Sequence, residues 1–211
     1  MSSDSIQQAI IMGNVASISV DVNQLLNEGV NSQKILDEQL LPGMAIVGER
    51  FKHNEMFLPQ VLMSAQAMQT AIDILKPHLA GNSEARQRNT VIIGTVKGDM
   101  HDIGKNLVRI MLIGAGFEVV DLGVNVPAQR FVDESLKHEA GIVCLSALLS
   151  STMNNMKEVV QVFRNHADLK DTKILIGGAP VSREFSHSIG ADGYAPTAPA
   201  AVERVQQFCG L

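Results

Sequence analysis

Aromatic residues are scarce in this chain of 211, at 4%, and neither sign of charge dominates: 17 Lys and Arg stand against 22 Asp and Glu, a formal net charge of −5. With no basic run and no basic helix face, a nucleic-acid or acidic-membrane partner has no electrostatic support. Cysteine is nearly absent too. Cys144 lies in an apolar run and Cys209 close to the last residue, which gives neither a disulfide framework nor paired zinc spacing, so a reducing cytoplasm is the expected setting. No stretch of 18 apolar residues occurs, and Met1-Ser2-Ser3-Asp4-Ser5 has neither the cationic start nor the apolar core of a signal peptide, so neither export nor a membrane span is expected. What is present is a composition 45% hydrophobic, enough for one or two domains with proper cores.

The usual nucleotide-binding patterns are missing as well. Gly98 and Gly104-Lys105 are separated by five residues rather than the four of a phosphate loop, and Asn106 stands where a Ser or Thr hydroxyl would hold magnesium. Gly94 and Gly98 miss the dinucleotide spacing. The loop Gly98-Asp99-Met100-His101-Asp102-Ile103-Gly104-Lys105-Asn106 offers different chemistry. It follows the apolar run Val91-Ile92-Ile93 and precedes a helical pattern of Leu107, Ile110 and Met111, so it reads as a strand–loop–helix junction. An aspartate two residues from a histidine can take the proton of one imidazole nitrogen and leave the other as a lone-pair donor, a metal ligand with its supporting partner. Equally, Asp99 or Asp102 can cap the following helix while His101 is merely solvated, and on these residues alone that plainer reading is the commoner one.

Residues 1 to about 80 carry helical periodicity interrupted at Gly13-Asn14, Gly29-Val30-Asn31 and Lys52-His53-Asn54, which predicts four or five helices. The clearest begins at Pro59 and places Leu62, Ala65, Met68, Ile72, Leu75 and Leu79 on one stripe, with Gly81 as its stop. Met56 and Phe57 sit at its entrance, where a place in the bundle core is the commoner fate. The polar stretch Asn82 to Arg88 reads as a linker, giving a helical domain over 1–88 and a second domain over 89–211.

From Thr90 onward strands and helices alternate: strands at 90–96, 117–122, 141–146 and 172–177 and a short one near Asp192-Gly193-Tyr194, with helices at 104–115, 127–139, 152–166 and 198–208. Such alternation predicts a parallel α/β sheet in the order 2-1-3-4-5, with its ligand crevice between strands 1 and 3. The exit of strand 3 is rich in hydroxyls (Ser146, Ser150, Thr152), and strand 4 ends in Gly177-Gly178. These small residues outline a slot, so bulk at Ser146 or Gly178 is expected to close it while sparing the fold. A phospho-receiver domain shares this architecture but needs an aspartate at the end of strand 3, where Leu145-Ser146 stands.

Asp99-x-His101-x-x-Gly104, then 41 residues, then Ser146-x-Leu148, then 28 residues, then Gly177-Gly178 resembles the signature of the cobalamin-binding domain that takes its cofactor base-off and histidine-on. The helical half is similar to the cap that precedes this domain in methionine synthase and in the small corrinoid proteins of methyltransferase systems. The resemblance implies a Rossmann-like domain with His101 as lower axial ligand of cobalt and Asp99 as its hydrogen-bonding partner. Thr152 takes the place of a serine that extends the pair to a triad, keeping the hydroxyl and adding a methyl. Met100, Asp102, Ile103, Gly104, Ser146, Leu148, Ser150, Gly177 and Gly178 are implied as cofactor contacts, and Phe57 as the cap residue over the upper face. The implied role is a corrinoid methyl carrier that is not catalytic by itself. It would work with a substrate methyltransferase, an acceptor methyltransferase acting on a thiol or folate, and a reductive activase. A cobalamin-binding sensor is the alternative, and the cobalamin subunit of a carbon-skeleton mutase a third.

Overall fold

The computed structural model describes residues 4–78 and 90–210. Two compact units emerge, one made of the N-terminal helices together with Ile113–Gly116, the other of the remaining α/β chain. The expected linker over 82–88, and with it the boundary at 88/89, lies outside the described residues.

The helical unit contains α1 (Asp4–Met12), α2 (Val15–Asn27), α3 (Ser32–Ile35), a π-helical turn at Leu36–Leu40, α4 (Leu41–Lys52) and α5 (Leu58–Leu75). Breaks fall where the turn residues stand. Asn14 caps α2 by accepting the Ser17 amide at 3.1 Å, and Asn31 caps α3 through the amides of Gln33 and Lys34. Pro42 follows the π turn, whose last bond runs from the Leu41 amide to the Leu36 carbonyl, so proline's missing N–H falls where the helical bonding pattern changes. Ile10, Ile18, Val22, Leu40, Val47, Val61 and Met68 form the seam and are fully buried.

Two expectations for this unit need correction. The buried face of α5 is Val61, Ser64, Ala65, Met68, Ala71 and Leu75, rotated from the expected stripe so that Leu62 is exposed. The helix also ends at Leu75, ahead of Pro77 in a 3-10 turn, rather than running toward Gly81; Leu79 and Gly81 lie outside the described residues. Met56 is buried as a core residue would be, whereas Phe57 is 69% exposed at the N-cap of α5, its amide donating to Gln60 Oε1 at 2.8 Å.

From Thr90 onward the chain runs β1 (Thr90–Thr95), α6 (Ile103–Gly114), β2 (Glu118–Asp121), α7 (Ala128–Lys137), β3 (Ile142–Ser146), a 3-10 turn (Ser150–Thr152), α8 (Met153–Asn165), β4 (Lys173–Gly177), α9 (Arg183–Ile189), β5 (Gly193–Ala195) and α10 (Ala198–Cys209). All five strands are parallel in the order β2-β1-β3-β4-β5. The short helix α9 escapes periodicity. It was nonetheless signalled by its caps, Ser182 accepting the Phe185 amide and Gly190 in a left-handed conformation at φ 78°.

Register explains why the two faces of the sheet differ. Ile92, Val143 and Ile174 belong to a continuous core with Phe131 of α7 and Phe163 of α8. The next row, Ile93, Cys144 and Leu175, instead faces a cavity flanked by α6 and α10. Gly94 is obligatory on the packed face, since a Cβ there would sit 2.8 Å from the Phe131 ring. Phe131→Ala should therefore lower the unfolding free energy by about 3–5 kcal/mol, and Phe57→Ala at its exposed site by less than about 0.5 kcal/mol. Urea denaturation of the full chain followed by circular dichroism checks both.

Candidate functional site

Asp99 is the centre of the loop after β1, and it is fully buried. Its Oδ1 accepts the backbone amide of His101 at 3.1 Å and faces His101 Nδ1 at 2.7 Å. Oδ2 accepts the amides of Leu148 and Leu149, at 2.8 and 3.1 Å, and the hydroxyl of Thr152 at 2.8 Å. That hydroxyl is equally close to the carbonyl of Leu149, but it has one proton. The Leu149 carbonyl already takes the Thr152 amide at 3.0 Å, so the carboxylate is the partner in need.

Burial pushes the Asp99 carboxyl up. Hydrogen bonds from the His101 ring, the Leu148 amide, the Thr152 hydroxyl and the His101 amide outweigh it, holding the group well below the ordinary carboxylate range. A carboxylate so held keeps its charge and assigns the ring proton of His101 to Nδ1, leaving the Nε2 lone pair free to ligate. The imidazole is half exposed, so that nitrogen is reachable.

The cavity beside it has a volume of about 490 Å³. Met100, His101, Asp102, Ile103 and Gly104 line one wall; Ser146 and Leu148 line a second, and Gly177 and Gly178 a third. Asp99 and Thr152 stand behind the wall and hold it. Ser150 is exposed and does not line the cavity, and Phe57 belongs to the helical unit. The depth of the cavity comes from residues that carry no motif: Cys144 and Leu175 on the sheet, Ala198 and Ala201 on α10. Burial pushes the Cys144 thiol up to about 12, so it remains a protonated apolar-lining group.

Gly178 behaves differently from expectation. It stands at φ 129°, and a Cβ there would fall 1.8 Å from the carbonyl oxygen of Ala147. Its bareness is demanded by the approach of the chain after β3, so bulk at Gly178 would disturb the fold itself, and Ser146→Leu is the cleaner obstruction. Sequence reasoning also missed the groups that fasten the loop: Thr95, Asn125 and Asn155, the last donating to the Lys97 carbonyl at 2.6 Å. Lys105 at the start of α6 is buried against Asp121 at 2.6 Å and fixes the other end. Asn125, at φ 54°, was the one with a signal, because a left-handed Asn after a strand is a turn device.

Asp99→Asn should cost the apoprotein about 2–4 kcal/mol at pH 7, since an amide offers one acceptor where five donors converge. The sign with pH follows from the lowered pKa. The unfolded chain takes up a proton near pH 4 while folded Asp99 stays ionised, so this contribution is complete above that pH and shrinks as the pH falls further. Urea midpoints of both proteins at pH 7 and pH 3 should therefore draw together in acid; a constant gap would contradict the assignment.

Comparison with known proteins agrees with this architecture. A family profile described as a B12 binding domain matches residues 89–203, and a second profile of the same description matches residues 3–76. A corrinoid protein of Desulfitobacterium hafniense is 39% identical over 210 residues, covering 98% of this chain and 97% of its own length. A trimethylamine corrinoid protein of Methanosarcina acetivorans is 37% identical over 184 residues, 87% of this chain and 85% of that protein. Among solved structures, a cobalamin-binding protein from D. hafniense superposes with a TM-score of 0.77 at 31% identity, covering 99% of this chain and 98% of its own. The methanol:cobalamin methyltransferase complex of Methanosarcina barkeri does so with 0.84 at 29% identity, covering 98% of this chain and 78% of the matched chain. The chain thus belongs to the B12-binding corrinoid proteins, and its cofactor is cobalamin.

Proposed function

We propose that the chain is the corrinoid subunit of a methyltransferase system, carrying a methyl group between a substrate methyltransferase and an acceptor methyltransferase, on a cobalamin whose lower axial ligand is His101. The observation that carries the proposal is the half-exposed imidazole at the cavity mouth, its Nδ1 engaged by a buried carboxylate that is itself fully satisfied. The residues fit the cofactor. Only one protein nitrogen is needed for a cobalt already held by a macrocycle, and among the described residues no three His, Cys, Asp or Glu side chains gather into a metal site of another kind. The cavity below His101 has apolar walls and the bare backbone of Gly177 and Gly178 at one side, which suits the displaced nucleotide tail.

Bound cobalamin supplies a cobalt centre that accepts a methyl group and gives it up. The protein's share is to hold His101 so that it can ligate, to keep its proton on Nδ1, and to retain the cofactor by its tail. Relatives named as dimethylamine and trimethylamine corrinoid proteins, and the methanol:cobalamin methyltransferase complex, support partners of the methyltransferase class. The acceptor enzyme, acting on a thiol or a folate, and a reductive activase complete the proposed cycle.

Electron paramagnetic resonance of the Co(II) form, with the protein uniformly labelled with nitrogen-15, should show a nitrogen-15 superhyperfine pattern. Nitrogen-14 there would identify the cofactor's own base as the ligand and sink the assignment. His101→Ala should lose the protein nitrogen but keep some cofactor, and Ser146→Leu should weaken uptake at least tenfold. Reduced holoprotein mixed with a cognate methyltransferase and its methyl donor should become methylated. Stable cobalamin binding with no methyl exchange, joined to a light- or ligand-dependent change of oligomeric state, would move the chain to the sensor class.

A further inference from the structure

The His101 imidazole is oriented by Asp99, but a ring is only as well placed as the backbone that carries it. That backbone is tied to the sheet by a group no motif includes. Thr95, the last residue of β1, is fully buried and donates its hydroxyl to the carbonyl oxygen of His101 at 2.8 Å. Thr95 is itself fixed on both sides. Its amide donates to Gly123 at 3.0 Å, its carbonyl accepts the Val126 amide at 2.9 Å, and it pairs with Ser146 of β3. On the opposite side of the loop the Asn125 side-chain Oδ1 accepts the Gly98 amide at 2.8 Å, and its backbone N–H donates to the Asp99 carbonyl at 2.9 Å. Neither Thr95 nor Asn125 has a hydrogen bond to the imidazole or to the Asp99 carboxylate; both act on main chain.

We propose that Thr95 is a positioning residue for His101, its buried hydroxyl fixing where the imidazole stands relative to β1, with Asn125 as a second clamp at the loop's entrance. This rests on the reading that His101 is the axial ligand. Metal–nitrogen distances in protein sites keep within about 0.2 Å of their standard values, and a supporting contact left loose is enough to spoil such a site. Removing the hydroxyl leaves a carbonyl unpaired and frees the main chain at the very residue that ligates. The carboxylate of Asp99 cannot compensate, because it holds the ring and the amide of His101 and not its carbonyl.

Thr95→Val keeps the side chain's shape and removes the hydroxyl; Thr95→Ser keeps the hydroxyl and removes the methyl. Each is made in the full chain, labelled with nitrogen-15 and loaded with cobalamin, and read by titration and by the resonance of the Co(II) form. The Val protein should bind about tenfold more weakly and show a mixture of protein and cofactor nitrogen. The Ser protein should stay within about threefold of the original and show protein nitrogen alone. A Val protein with unchanged affinity and undiluted protein nitrogen overturns the proposal. Should that variant not fold, Thr95→Ala carries the test, since it loses the same hydroxyl without placing a methyl against the His101 carbonyl. Here the proposal requires a mixed signal, and protein nitrogen alone overturns it. Cofactor nitrogen in the unsubstituted protein is a separate outcome: it removes the axial role of His101, and the proposal with it.

Discussion

A carboxylate with no access to water is stable only if donors replace the hydration it has lost, and at Asp99 that requirement shapes the domain. Its five donors come from two separated stretches, the loop after β1 and the segment after β3. Those stretches can meet only because β1 and β3 are neighbours in the sheet, which happens at the point where the strand order reverses. The fold and the chemical group are thus one arrangement. Without the adjacency the carboxylate would be unpaired, and without the carboxylate the amides of Leu148 and Leu149 would need other acceptors.

The cavity follows from a second constraint, the size of side chains along one row of the sheet. Thr95, Ser146, Gly177 and Ala195 are register partners at the carboxyl ends of four strands, and none is large. Below them Cys144 and Leu175 set the floor, and the Ala198 and Ala201 positions of α10 leave the side wall low. On the opposite face the same sheet is filled, with the Phe131 ring seated directly over Gly94. One face is spent on stability and the other is left open for a ligand, and the difference lies in where the chain puts aromatics and where it puts small residues.

This also marks what could be read from the sequence. Strand order and the β1 loop were legible because β-branched runs alternate with helical periods, and because Asp99-x-His101-x-x-Gly104 is a compact local signal. The contacts of Thr95 and Asn125 were not, since each depends on a loop's path and not on spacing. The rotation of the α5 stripe was missed because Ala67 and Ala71 are small enough to bury wherever neighbours approach, while Leu62 matched the period and lost to packing. Gly178 was legible as a bare residue of the slot, which it lines, but the second demand on it was not: only the structure places the Ala147 carbonyl against it. The short helix α9 carried its Ser and Gly caps in plain view, yet seven residues are too few for a period to declare itself.

The rigid pair also has a cost, visible around it. Met100 is 66% exposed, Ile103 77% and Leu148 43%, so three large apolar side chains stand in water at the rim where His101 presents its free nitrogen. Scattered apolar exposure is ordinary, but apolar side chains grouped beside a single lone-pair donor suit a flat ligand with an apolar face and a Lewis-acidic centre. Each such side chain covered by a ligand contributes at roughly 25 cal/mol per Å² removed from water, whereas the Nε2 lone pair contributes direction. Affinity and placement are therefore supplied by different residues. That division suits the proposed carrier, because a cofactor that lost its contact with the His101 nitrogen would still be held by the rim and the cavity.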